Sequence, residues 1–332
     1  MNFNVCIVGC GDRGQTHAKA WEAHPSARVV AVCDMDAGRA QSIADGTGAT
    51  VYTDWRKAIS QADVNVVSQC VPSYLHADVA CLAADRGCHV FAEKPLALTL
   101  DQGERILEAV KASGIVFMPC FQSRDMWAFT KYREAFQSGE LGTPVTLRTS
   151  SMSEVRPKLA MHRTSMNGGP VIDLACHTID LLRWITGEEP VRVFAAGNVF
   201  GRGKAHLDGI EDLAIDEACI EVRYSGGHQL QMYVNWGMPE GFSNVGDNMI
   251  LGPERLIRPG KPGIEVHSGG SVETILPPEG AKSAGVSVRI AQLVRAIEEK
   301  TAPDITCEDA MVALKVSCAA LRSIETGNVE IP

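Results

Sequence analysis

Short runs of consecutive apolar residues recur through the first third of the chain, each followed by a stretch with helical spacing. Val5-Cys6-Ile7-Val8 opens the series and Val29-Val30-Ala31-Val32-Cys33 continues it. The pattern predicts strands at 3–9, 28–34, 64–71, 88–93 and 115–120, with a weak one at 50–52. It predicts helices at 14–23, 36–45, 54–60, 73–86 and 99–113. Strands that are apolar throughout rather than alternating are covered on both faces, which implies a parallel sheet between two helical layers. Right-handed crossovers then make that sheet doubly wound. Asp101 and Glu104 near the start of the last helix, and Gly114 just past its end, agree with those bounds.

Past about Phe121 the texture changes. A helix near 126–138 leads into Pro144-Val145-Thr146-Leu147-Arg148, and a second helix is expected at 170–186. Ala218 to Tyr224 and Leu230 to Trp236 alternate with period two around Ser225-Gly226-Gly227-His228, the pattern of a hairpin. Segments 190–200 and 247–276 add strand candidates, and 286–326 reads as two closing helices split by Pro303. The fold class expected is therefore α/β: a doubly wound domain over 1–121, then an α+β domain over 122–332 with a largely antiparallel open sheet and helices on one face.

A chain of 332 residues can bury two cores. Its net charge of −9 and lack of a Lys/Arg-rich run argue against nucleic acid or an anionic membrane as partner. No apolar stretch reaches membrane-spanning length, and no signal peptide is read ahead of the first strand. The 11 cysteines include no C-x-x-C pair and are scattered through predicted strands and helices. That suits neither a disulfide framework nor a zinc site, and no metal is expected. Buried thiols in a reducing cytoplasm are the simpler account.

The first loop carries chemistry. Gly9-Cys10-Gly11-Asp12-Arg13-Gly14 stands between a strand and a helix, and the second strand ends on Asp34. Gly9 permits a tight turn, Gly11 a close approach of a pyrophosphate, and Gly14 close packing of helix on strand. The phosphates meet the free N–H groups of the helix start. Asp34 can bind ribose hydroxyls and would repel a 2′-phosphate, so NAD is expected over NADP. Arg39 leaves room for some NADP.

Ligands of such sheets bind beyond the carboxyl ends of the strands. Those ends hold Val71-Pro72, Glu93-Lys94-Pro95 and Cys120-Phe121. Lys94 is either a solvated loop lysine or an amine aimed at the nicotinamide. In the second case burial and the positive ring would lower its basicity from the ordinary value of about 10.4. In the second half, Asp173, His177 and Asp180 fall at i, i+4 and i+7, on one helical face, after Gly168-Gly169-Pro170. An acid–imidazole–acid stripe faces a pocket, faces solvent, or pairs within the core. As a metal site it is thin.

Taken together these motifs resemble the glucose–fructose oxidoreductase and inositol dehydrogenase family, Gfo/Idh/MocA. The resemblance rests on Gly9-x-Gly11-x-x-Gly14 with His17, Val71-Pro72-x-x-x-His76, Glu93-Lys94-Pro95, and Gly168-Gly169…Asp173-x-x-x-His177-x-x-Asp180. It extends to the closing segment Arg322-Ser323-Ile324-Glu325-Thr326-Gly327. The family implies an NAD-dependent dehydrogenase acting on a secondary alcohol of a sugar or cyclitol. Lys94 and His177 would be the catalytic pair, and Asp173 would hydrogen-bond substrate. Gly9, Gly11, Asp12, Arg13, Gly14, Asp34, Val71, Pro72, His76, Glu93 and Lys94 would hold cofactor. Asp180 would be structural, the Lys94–Pro95 bond cis, and the assembly a homodimer or homotetramer.

Gln122, Arg156 and His162, with Arg163, are further substrate candidates, against a reading as surface-loop charge. The loop 152–167 matches no substrate signature. Two rival functions share the scaffold. One is redox-neutral glycoside cleavage with tightly held NAD; the other is a ligand sensor with no catalysis, against which the presence of both Lys94 and His177 counts.

Overall fold

The computed structural model describes residues 2–61, 63–242, 245–279 and 285–332. The chain divides into two compact units, residues 1–122 with 284–311 and residues 123–283 with 312–332.

In the first unit six strands form a parallel sheet: β1 (Phe3–Val8), β2 (Ala27–Cys33), β3 (Thr50–Tyr52), β4 (Val66–Gln69), β5 (His89–Ala92) and β6 (Phe117–Pro119). Their order is β3-β2-β1-β4-β5-β6. The crossovers carry α1 (Asp12–Glu22), α2 (Ala37–Thr47), α3 (Trp55–Ile59), α4 (His76–Asp85) and α5 (Leu100–Ser113). β1 and β4 are buried almost throughout, as their unbroken apolar runs require. The strand order reverses between β1 and β4, and this opens the crevice where doubly wound sheets take ligands. α1 begins two residues earlier than its pattern suggested, because Gly11 holds extended backbone as its N-cap.

The second unit starts with α6 (Trp127–Gln137) and builds an eight-stranded sheet in the order β14-β13-β12-β11-β7-β10-β9-β8. The strands are β7 (Thr146–Glu154), β8 (Pro190–Asn198), β9 (Glu217–Tyr224), β10 (Gln229–Met238), β11 (Val245–Leu251), β12 (Leu256–Pro259), β13 (Ile264–Ser268) and β14 (Ser271–Ile275). β9 and β10 form the expected hairpin, with Gln229 opposite Arg223. One pair is parallel: β10 runs alongside β7, because α7 (Gly169–Asp173), α8 (Ala175–Thr186), β8 and β9 all intervene in the chain.

Two expectations are corrected. The single helix expected over 170–186 is two, joined at Leu174. The His177 N–H turns back to the Leu174 carbonyl at 3.3 Å, and the Cys176 thiol donates to the Asp173 carbonyl at 3.3 Å, so the ladder tightens there. The second half is also not one block from 122 to 332. After β14 the chain supplies α9 (Val286–Glu299), which buries Val286, Ile290, Leu293 and Val294 and packs against α1 of the first unit. α10 (Cys307–Thr326) follows, its residues from Val312 onward grouped with the second unit.

Candidate cofactor and substrate sites

The glycine loop of the first unit is shaped by three different constraints. Gly9 sits at φ 94°, and a Cβ there would lie 2.5 Å from the Cys70 carbonyl oxygen, across the β1–β4 crevice. A Cβ on Gly14 would lie 2.0 Å from the Gly9 carbonyl oxygen. Beside Gly11 there is open space, with no atom within 4 Å of a Cβ. The first two glycines therefore close the turn on itself, and the third leaves room for a ligand at the N-terminus of α1. Asp34 ends β2 with its carboxylate braced, Oδ2 accepting from the Cys10 N–H at 2.8 Å and Oδ1 from the Asp36 N–H at 2.9 Å. Each oxygen keeps a further lone pair for a hydroxyl. Arg39 turns instead to Asp36 at 3.5 Å. These residues fit a dinucleotide.

At the end of β5, Glu93 is buried and is the hub of a hydrogen-bonded chain. Arg13 donates to its Oε1 through Nε at 2.6 Å, and His17 Nε2 lies 3.0 Å away. His17 Nδ1 is 2.9 Å from Ser68 Oγ, which accepts from the Trp21 indole N–H at 3.0 Å. One set of hydrogens satisfies all four contacts: Trp21 donates to Ser68, Ser68 to Nδ1, and Nε2–H to Glu93. Burial alone would push the Glu93 carboxyl up, but His17, Arg13 and Lys94 outweigh it and hold the group down at about 2. Lys94 is half-buried beyond this anion, and its peptide bond to Pro95 is cis.

His76 does not line open space. Its ring is buried, with Nδ1 2.7 Å from the Pro95 carbonyl oxygen and Nε2 3.0 Å from that of Val71. It ties the Val71-Pro72 turn to the Lys94-Pro95 turn and so fixes two strand ends. Gln122 donates to the Cys120 sulfur at 3.4 Å. His17, Glu93 and Cys120 bring ligand atoms within 4.8 Å of one another, but all three are already engaged in hydrogen bonds.

In the second unit Asp173 is buried at the end of α7, and His177 is half-buried in the first turn of α8. Asp180 has a different role. Arg124 grips it with two parallel hydrogen bonds, Nε to Oδ2 at 2.8 Å and Nη2 to Oδ1 at 2.5 Å, and both side chains are buried. This is the fork geometry that arginine makes with carboxylates.

The loop after β7 is anchored by His162, which is buried rather than turned outward. Its Nε2 lies 3.0 Å from the Arg156 main-chain nitrogen and 3.2 Å from the Arg156 carbonyl oxygen, which accepts from the ring when Nε2 carries the proton. Burial lowers its basicity, against the opposing pull of the Arg156 backbone. The Arg156 guanidinium lies over Trp236, 5.7 Å from the ring centroid. Arg163 pairs with Asp212 at 3.0 Å. Asp216 receives the N–H groups of Phe200 and Gly201 at 2.6 and 2.7 Å, which pins the loop ahead of β9.

Sequence comparison decides the lineage. Residues 3–121 match the family model described as "Oxidoreductase family, NAD-binding Rossmann fold", and residues 129–252 match "GFO/IDH/MocA C-terminal domain". The chain belongs to the Gfo/Idh/MocA family. Among its curated relatives is a myo-inositol 2-dehydrogenase of Thermotoga maritima, 30% identical over 226 residues that cover 68% of this chain and 66% of that protein. A scyllo-inositol 2-dehydrogenase (NAD(+)) of Bacillus subtilis is 24% identical over 97% of this chain and 94% of its own length. In three of the relatives, the one from Thermotoga among them, the match spans 52% to 66% of the protein's length. A solved levoglucosan dehydrogenase, in complex with NADH and levoglucosan, superposes with a TM-score of 0.87 at 21% identity, covering 100% of this chain and 99% of that one. That likeness concerns the fold.

Three residues escaped the sequence motifs of this Gfo/Idh/MocA chain. Arg124 carried a signal, as a lone basic residue in a turn beyond β6, but no spacing rule ties it to Asp180. Ser68 looked like one more position in an apolar strand. Trp236 ended a predicted strand, and nothing marked it as a platform for Arg156.

Proposed function

We propose that this protein is an NAD-dependent dehydrogenase moving a hydride between a secondary alcohol of a sugar or cyclitol and the cofactor. The observation that carries the proposal is the bracing of Lys94: the His76 ring locks its turn to that of Val71, and an ionised, buried Glu93 precedes it. Supporting hydrogen bonds of this kind hold a functional group in its working position. The names of the inositol dehydrogenase relatives support the substrate class.

In this reaction His177 takes the proton of the reacting hydroxyl. Lys94 stabilises the negative charge that develops on its oxygen. Asp173 accepts hydrogen bonds from neighbouring hydroxyls and orients the ring. NAD+, when bound, supplies the hydride acceptor at its nicotinamide. Gly9, Gly11 and Gly14 shape the phosphate turn, Asp12 and Arg13 open α1 beside it, and Asp34 selects the adenosine ribose, favouring NAD over NADP. Val71 and Pro72 face the nicotinamide half, with His76 behind them.

Two further parts belong to the proposal. Phe194 and Cys219 stand exposed on β8 and β9, which suits a second copy packed on that face in a homodimer or homotetramer. The cysteines form no disulfide among the described residues, which suits the cytoplasm, and no helix described is long and apolar enough to cross a membrane.

The test is Lys94→Ala. Turnover of a polyol panel with NAD+, followed at the absorbance of the reduced cofactor, should fall by at least about 1,000-fold while NADH affinity stays within about twofold. Full turnover in the variant would remove Lys94 from the chemistry.

A further inference from the structure

Arg156 is held at both ends, and among the described residues no acid answers it. Its backbone is fixed on His162 and its guanidinium on Trp236. Its Nε is buried without an acceptor, and among the described residues no carboxylate pairs with the group. Other cations of these loops are satisfied: Arg163 by Asp212, Lys204 by the carbonyl oxygens of Gly237 and Met238. Acids are not scarce, since the chain has 40 against 31 basic residues.

The loop cluster around Arg156 also carries the start of α7. The Trp236 N–H donates to the Asp216 carbonyl at 2.8 Å, and the Ala214 N–H to that of His162 at 2.8 Å. A Cβ on Gly169 would lie 2.9 Å from the Ala214 Cβ, and α7 packs against β10. Arg156 therefore belongs to the same end of the sheet as the Asp173–His177 segment.

We propose that Arg156 is a specificity residue that recognises an anionic group on the sugar, a carboxylate or a phosphate ester. The inference rests on the sugar dehydrogenase reading. A guanidinium presents a planar fork matched to such oxygens, and stacking on an indole leaves its edge available. Because the fork is already positioned, little side-chain freedom is lost on binding. A neutral hydroxyl offers the fork only a weaker, uncharged acceptor, which discriminates against a neutral sugar.

The experiment uses the full chain with NAD+ and three sugars: D-glucuronate, D-glucose 6-phosphate and D-glucose. Initial rates are read at the reduced-cofactor absorbance, and calorimetry on the NADH complex gives affinities. One of the two anionic sugars should exceed glucose by about 100-fold in kcat/KM, and which one it is tells carboxylate from phosphate. Arg156→Gln should collapse that ratio toward one, mainly through KM, and Arg156→Lys should keep part of it; both should bind NADH and melt like the parent. Equal use of glucose, an unchanged ratio in Arg156→Gln, or no binding of either anion would overturn the proposal. Turnover of neutral polyols alone leaves the dehydrogenase reading standing and removes the anion. Arg156-dependent binding of an anionic sugar without hydride transfer does the reverse.

Discussion

Replacing Asp180 by Asn separates scaffold from chemistry in the stripe Asp173–His177–Asp180. The amide keeps the shape of the carboxylate but withdraws the charge opposite Arg124, whose guanidinium is only 7% exposed and cannot turn to water. Leaving one partner of a buried pair uncompensated costs about 3–5 kcal/mol. The second unit has about 180 residues, so its unfolding entropy near 60 °C is about 0.4 kcal/mol/K and the loss corresponds to a fall in Tm of about 10 °C. If both units unfold together the fall is about half that, because the entropy is shared by the whole chain. Scanning calorimetry reads the shift directly. The double variant Arg124→Met/Asp180→Leu should regain most of it, since an apolar pair of similar volume removes the stranded charge. NADH affinity should not change in either. A Tm within about 1 °C of the parent would refute the structural role of the pair, and an unshifted Tm with lost turnover would move Asp180 into the chemistry.

The glycine loop gives a paired contrast: Gly11→Ala should melt like the parent and weaken NADH binding by about tenfold or more, because its Cβ points into open space. Gly14→Ala should lower Tm as well, because its Cβ would press on the Gly9 carbonyl; fluorescence titration and melting curves distinguish the two. Glu93 supplies a pH signature. Its folded-state value of about 2 lies below the ordinary 4.5, so its contribution, on the order of 3 kcal/mol, is complete above about pH 4.5 and drains away as pH falls toward 2. In urea, Glu93→Gln should therefore be less stable than the parent at pH 7, and the gap should narrow at pH 3.5; a gap that widens on acidification would contradict the ion-pair account.

The first unit was largely legible because its information is local. Unbroken apolar runs, a glycine spacing and one acid at the end of β2 each speak within a window of about 30 residues. Even the marginal strand at 50–52 is present, as β3. The second unit was legible as a class, since period-two alternation marks Ala218–Tyr224 and Leu230–Trp236, yet the parallel pairing of β7 with β10 depends on which segments intervene between them. The helical stripe was read on ideal 3.6-residue geometry, and the tightened turn at Leu174 comes from bonds of His177 and Cys176 that periodicity does not encode. In sequence His162 reads as a loop residue, a substrate contact or surface charge, and His76, inside the helix predicted over 73–86, as a cofactor contact. Their burial follows from main-chain atoms 6 and 5 or more residues away that only the folded chain brings to them. Arg156 was singled out for its charge, but Trp236, which gives that charge a fixed direction, lies 80 residues later.

The return of α9 to the first unit has a consequence for how the protein is made. A ribosome that has released residues 1–122 has delivered all six strands of the nucleotide-binding sheet but not the helix that shields α1. More than 160 residues of the other unit must emerge before that cover arrives. During this interval the nascent nucleotide half carries an unclosed apolar seam, a natural foothold for chaperones and a reason why cutting the gene at the obvious boundary would yield a sticky, incomplete fragment.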